Sequence, residues 1–350
     1  MTAKPSRSNW IRHAKKTLWL LGVGLVVIWS LWLLYSKLLA EVATDPVAKA
    51  LIDSGSLQTN FAVILDMIAR SVAAVSAQAY ILAGLSALAA YAALAWYDRI
   101  ALIYLNRHRS ISWPYIATCS FVTYALGHNL GASVLSGGLV RLRAYCAKGL
   151  SPGEVAVLVG LCSFTFGYGM MLLMGIVFVL EPQIVQSLVN VIPRLNLPAP
   201  LVQLIGAALL MLCGLYVVGS WRGFKPLRIR SLYVFYPKLP IVARQLIAAP
   251  LEIIAAAGII YFALPEAGNP GFMIVLGAFL LSFSAGLLSQ TPGGIGVMEA
   301  VFLAIVNTMP PSDVIAALLV WRLMYLLIPL ALSLPIVIAF ERAQLRLPRS

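Results

Sequence analysis

Runs of about 20 apolar residues recur at 17–40, 74–97, 154–180, 199–220, 245–263 and 314–339. A hydrocarbon core about 30 Å thick is crossed by about 20 helical residues, so each run predicts a full transmembrane span. Two further apolar regions, 113–150 and 270–310, break this pattern. Each changes character midway at a Gly-Gly pair, Gly137–Gly138 in the first and Gly293–Gly294 in the second. The polar stretches at the amino terminus, at 41–73 and at 221–244 are too short to build a core of their own. The pattern predicts an all-α polytopic protein, one integral membrane domain over 1–350.

Composition agrees. The chain is 61% hydrophobic and 11% charged, with mean hydropathy +0.92. The net charge of +13 raises the question of nucleic acid, but the basic residues lie in loops, as the positive-inside rule produces. No nucleic-acid partner is expected. The four cysteines are scattered through apolar segments without a C-x-x-C, and read as small buried hydrophobes. The three histidines have no Cys or acid at ligand spacing, so neither a metal nor a cofactor is expected. Five basic residues precede the 24-residue run Thr17–Ala40, far longer than the apolar region of a signal peptide, about 7–15 residues. That run predicts an uncleaved first span with its amino terminus in the cytoplasm.

Loop charge decides how the two odd regions sit. Arg99, Arg107 and Arg109 precede the first, and Arg141, Arg143 and Lys148 close it. If 113–135 crossed alone, the second cluster and the six basic residues from Arg222 to Arg244 would be exported. If the region enters and returns, 20 of the 25 Lys and Arg lie on the cytoplasmic side. Four (Lys37, Lys49, Arg70 and Arg194) lie outside, and Arg322 lies inside the last span. The expected architecture is six full spans plus two re-entrant helical hairpins from opposite faces, with both termini cytoplasmic.

The odd regions also resemble each other. "ASVLSGGLVRLRAY" and "AGLLSQTPGGIGVMEA" share Leu-Ser, Gly-Gly and an aliphatic residue, then a Pro-containing turn, an acid and a long apolar helix. Glu154 follows Gly138 by 16 residues, and Asp313 follows Gly294 by 19. Opposite orientation makes this the signature of inverted repeats, 74–180 and 245–340, whose broken helices meet near mid-membrane. Gly and Pro at that depth leave backbone groups that lipid cannot satisfy, so they must be buried in protein or line a polar cavity. Gly293, Gly294 and Gly296 permit a tight turn, and the arm beginning "GIGVMEA" would present its amides to a cavity and favour an anion.

Ionisable residues at membrane depth carry a functional reading by default. Arg322 and Glu299 are candidates for a transport path, and equally for a structural pair with each other. Glu252 reads as a structural partner. His128 and Asn129, in "GHNLG", lie where the first hairpin is deepest; a lone His is more often a packing residue than a proton relay. Arg141 and Arg143 are either topology charges or a phosphate pocket, since Arg pairs bidentately with phosphate.

"GHNLGASVLSGGLVRLRAYCAKGLS" and "LLSQTPGGIGVMEAVF" together resemble the transmembrane region of the lysylphosphatidylglycerol synthase family, over about residues 74–340. The resemblance implies a lipid flippase-like membrane part. It also implies a Gly-Gly followed by Arg-x-Arg, which falls here on Gly137, Gly138, Arg141 and Arg143. Relatives with "RYRLY" differ from the "RLRAY" found here. Bifunctional members carry an aminoacyltransferase domain after the membrane part. Ten residues separate the last expected span from Ser350, which implies the transport half without the synthase. Stand-alone relatives are associated with hopanoid and glycosylated or polyprenyl lipids, and a bacterial inner-membrane location follows.

Three functions compete. The first is a flippase moving an amphiphilic lipid, phosphate- or amine-bearing, between leaflets. The second is a membrane enzyme modifying lipid headgroups; no nucleophile–base pair, paired carboxylates or nucleotide loop supports it. The third is an accessory subunit of a lipid-synthesis enzyme. The expected partners are a membrane lipid, with a lipid-synthesis enzyme or a second copy of the chain also compatible.

Overall fold

The computed structural model describes residues 32, 35–36, 39, 41, 57–129, 133–189, 197–229, 232–234, 236–289 and 292–345. Most of the expected first span, 17–40, lies outside the described residues.

Eleven helices carry the described fold: α1 (Leu57–Ala74), α2 (Ala77–Tyr104), α3 (Trp113–Asn129), α4 (Ser133–Cys146), α5 (Pro152–Leu180), α6 (Ala199–Arg222), α7 (Leu239–Ala263), α8 (Phe272–Ser289), α9 (Val297–Ile305), α10 (Pro311–Arg322) and α11 (Ile328–Leu345). A π turn, Leu323–Leu327, joins α10 to α11. Six helical stretches are long and apolar enough to cross a membrane: α2, α5, α6, α7, α8 and the continuous 311–340. Five of them match expected spans. The sixth, α8, was expected as one arm of a hairpin. The polar loop after α6 holds something the sequence did not suggest, a small antiparallel ribbon pairing Leu227 with Val234 and Ile229 with Leu232.

α7 is the central helix, with 61% of its apolar window buried, against 22% for α6. Alanine explains the first figure. Ala83, Ala87, Ala90 and Leu94 recur every three or four residues on α2, and face the small residues of α7. Small side chains let helix backbones approach closely where lipid removes the hydrophobic drive to associate. α6 instead exposes Leu204, Met211 and Leu215, as a lipid-facing helix should. α5 and α6 cross where a Cβ on Gly206 would meet the Gly175 carbonyl at 2.9 Å. Gln245 ties α5, α6 and α7, donating to Thr165 at 2.8 Å and accepting from Tyr216 at 3.0 Å.

The contacts also fix the direction of each element. Tyr97 meets Ala249, and Ser86 lies against Gly258, so α2 and α7 are antiparallel. α3 and α4 fold back on one another: Tyr115 near the start donates to the Ala144 carbonyl near the end, at 2.7 Å. Arg107 before the pair and Glu154 after it are bonded at 2.7 Å. α8 and α9 also return to where they began, because Gly268 lies against Thr308 and Met309. That end of the bundle is the opposite one, where α7 stops and α2 starts. Ser151 starts α5 with a capping box, its hydroxyl accepting from the Glu154 amide while Glu154 accepts from the Ser151 amide.

Candidate functional site

Besides the Gln245 network, three polar clusters with ionisable side chains lie among the described residues of this apolar bundle. The first joins α2, α4 and α5. Arg141 is 5% exposed, and its guanidinium grips Asp98, 0% exposed, at 2.6 Å through Nη2 and 3.2 Å through Nε. Tyr145 donates to the other Asp98 oxygen at 2.7 Å, and the Cys162 thiol donates at 3.4 Å. The Arg141 guanidinium also lies 4.8 Å from the Tyr124 ring centroid. The sequence left Arg141 as either a topology charge or part of a phosphate pocket; here it is paired inside the bundle. Its charge is already balanced, and it leaves the tally of loop charges. Arg143, two residues on, points to the other side of α4 and is exposed.

The second cluster is the Gly-rich break. Gly293, Gly294 and Gly296 all have positive φ, at 59°, 66° and 82°. Arg322 donates from Nε to Glu299 at 2.7 Å and from Nη1 to the Gly293 carbonyl at 2.8 Å. One arginine thus satisfies both the acid and a carbonyl freed by the turn. The Gly296 amide donates to Glu299 at 2.8 Å. The start of α9 is therefore capped by its own carboxylate, and not open to a ligand anion as the sequence suggested. A Cβ at Gly294 would lie 3.4 Å from the Gly286 Cα, in a backbone conformation that β-branched residues do not tolerate. Gly294→Val is expected to destabilise the protein by about 1–3 kcal/mol, measured by thermal unfolding in detergent. An unchanged melting temperature would mean that the turn relaxes freely.

The third cluster surrounds Glu252 on α7, 3% exposed. It accepts from Tyr325 at 2.5 Å and from Tyr97 at 3.4 Å, and no cation among the described residues is bonded to it. His128 stacks on Tyr325, ring centroids 5.3 Å apart. Asn129 donates to the Leu326 carbonyl at 3.1 Å, pinning the end of α3 to the π turn.

Two spaces flank the α3–α4 pair. On one side is a cavity of about 250 Å³, walled by Thr123, Tyr124, His128, Arg141, Cys162 and Ser163 with apolar residues of α2, α5 and α8. The buried atoms His128 Nδ1 and Thr123 Oγ1 have no hydrogen-bond partner within the described protein. On the other side is an apolar groove of about 190 Å³ between the pair and α11, with Arg143 among its walls. The glycines divide similarly. A Cβ at Gly137 would meet Thr123 at 3.0 Å, so α4 needs Gly there to sit against α3, whereas Gly138 has nothing within 4 Å.

This arrangement has relatives. The chain is 32% identical over 262 residues to the uncharacterized protein slr0712 of Synechocystis, covering 74% of this chain and 78% of that one. The chain belongs to the slr0712 family. It is also 28% identical over 242 residues to the inner membrane protein YbhN of Escherichia coli, covering 68% of this chain and 72% of YbhN. No family model matches the chain. With its six apolar helices and these relatives, this slr0712-family chain is an integral membrane protein.

Sequence reading missed Asp98. It set the end of the second span at Tyr97, because a charge follows, but α2 continues to Tyr104 and carries the acid inside. The signal was there: "DRIALIY" resumes apolar character immediately after the charge. Also missed were the two tyrosines on Glu252, which no spacing rule connects.

Proposed function

We propose that this chain transports an amphiphilic lipid between leaflets, as a member of the lysylphosphatidylglycerol synthase-like transporters, and that it is not itself an enzyme. One observation carries the reading: a cavity with a few polar side chains in an otherwise apolar wall and an apolar groove lie on opposite sides of the same short helix pair. A lipid has that division of chemistry. The cavity offers His128 and Thr123 as uncommitted hydrogen-bonding groups to a headgroup. The groove offers an apolar slot to a chain, with Arg143 among its walls. The Asp98–Arg141 pair holds the cavity wall in place.

The same reading makes α3–α4 and α8–α9 re-entrant hairpins, entering from the cytoplasm and from outside and related as inverted repeats. Their return to opposite ends of the bundle supports this. In cells whose native cysteines have been replaced, a cysteine at position 148 is expected to label only from the cytoplasm, and one at 308 only from outside. Labelling of both from one face would contradict the inverted arrangement.

The lipid itself is tested by extraction. Purified protein is expected to retain a phosphate- or amine-bearing lipid after detergent exchange. Arg143→Ala should retain several-fold less, with a salt dependence that the parent protein shows at its exposed arginine. Equal retention of every lipid class in both proteins would count against a headgroup site.

A further inference from the structure

We propose that Glu252 is a proton-binding site that couples its charge state to the Gly-rich break through the π turn. This goes beyond the transport reading by assigning a source of energy or control, and it rests on that reading only for its consequence.

The geometry has three parts. First, Glu252 is a buried acid whose hydrogen-bond donors among the described residues are two hydroxyls and no cation. A carboxylate taken out of water without a counter-charge carries a large desolvation cost, which taking up a proton removes. The other buried acids have cations: Asp98 holds Arg141 and Glu299 holds Arg322. Second, the principal donor, Tyr325, lies in the π turn, three residues after Arg322. Such turns are frequent at functional positions. This one is held from outside the helix: Tyr91 donates to the Tyr325 carbonyl at 3.0 Å, and Asn129 to the Leu326 carbonyl. Third, Arg322 at the start of that turn grips the Gly293 carbonyl and Glu299. A shift of Tyr325 toward or away from Glu252 is therefore transmitted to the break within one helical turn.

The groups facing Glu252 are few. α2 contributes Tyr97 and Tyr91, the turn contributes Tyr325, and His128 of α3 covers the far side of the Tyr325 ring. On the adjoining helices Glu154 is paired with Arg107 and Arg322 with Glu299, Asp313 sits in the first turn of α10, twelve residues before Tyr325, and α8 contains no titratable residue. When a proton from bulk water bonds to a carboxylate oxygen, the group passes from −1 to neutral and gains an O–H. The Tyr325 hydroxyl then loses a charge-assisted acceptor and keeps a neutral one.

Infrared difference spectroscopy on protein in lipid nanodiscs, stepped in pH, reads this directly. The wild-type protein should show a protonated-carboxyl carbonyl band that grows on acidification and is lost in Glu252→Gln. Tyr325→Phe should retain the band, with its midpoint moved to higher pH by about one unit, because the charged form has lost a donor. If Glu252→Gln does not fold, Tyr325→Phe and Tyr97→Phe decide, and an unmoved midpoint in both overturns the proposal. So does the absence of a titrating band in the wild type, or the same band in Glu252→Gln. Since the band needs no lipid movement, its appearance beside inactive vesicles would leave the proton site standing and bring down the transport reading alone.

Discussion

Arg322→Leu and Glu299→Leu should each destabilise the protein by about 3–5 kcal/mol, and the double variant should lose much less than the sum. The reason is the asymmetry of a buried pair. Their side chains are 13% and 10% exposed, so removing one leaves the other charged, out of water and unpaired. Arg322→Leu also frees the Gly293 carbonyl at a turn that no lipid can satisfy. It should therefore be the more harmful of the two. Glu299→Gln is the informative mild variant: it can still accept from the Gly296 amide, so it loses the charge while keeping the α9 cap. Thermal unfolding in detergent over the four-protein cycle measures this. Additive losses would mean that the two residues act independently, despite their separation of 2.5 Å.

A second large effect is expected at the other end of the bundle. Asp98→Leu leaves Arg141 without its counter-charge and strips Tyr145 and Cys162 of their acceptor. About 3–5 kcal/mol should be lost, enough to prevent accumulation of folded protein for a chain of ordinary stability. Arg141→Ala should be similarly severe, because Asp98 is then buried with only hydroxyl and thiol donors. Arg141→Lys should fall between, since an ammonium keeps the charge but not the two-point grip through Nε and Nη2. Arg143→Ala, an exposed position on the groove, should leave the melting temperature within experimental scatter. Folded yield and melting temperature across these variants are the measurements. A stable Arg141→Ala beside an unstable Arg143→Ala would reverse the assignment of the two arginines.

Much of the fold was legible in the chain because lipid imposes simple rules on it. The apolar runs gave five of the six long apolar helices, and Gly293–Gly294 marked one place where the chain turns back, whereas Gly137–Gly138 lie inside α4, past the fold-back. The pairing of Arg322 with Glu299 was also legible, since a lone arginine in a span demands an acid, and Glu299 lies close to the break. Asp98 was not legible. A charge at the edge of an apolar run reads as the end of a span, and its partner lies 43 residues away across a fold-back. The capped start of α9 was hidden for a different reason: Glu299 serves two partners at once, the Gly296 amide and Arg322. The surroundings of Glu252 could not be inferred either, because tyrosine in an apolar helix has no periodicity that announces which acid it will meet.

The central claim is that lipid moves through this protein. Its most direct test is leaflet exchange of a fluorescent phospholipid in vesicles reconstituted with the purified chain, followed by bleaching of the outer leaflet. The account predicts that bleaching continues past the outer-leaflet fraction only when protein is present. It also predicts that His128→Ala slows the exchange in protein shown to be folded, by more than the loss of its ring stacking on Tyr325, read as a lowered melting temperature, accounts for. Bleaching that stops at the outer leaflet for anionic, zwitterionic and cationic lipids alike, with folded protein and an imposed pH gradient, would contradict it.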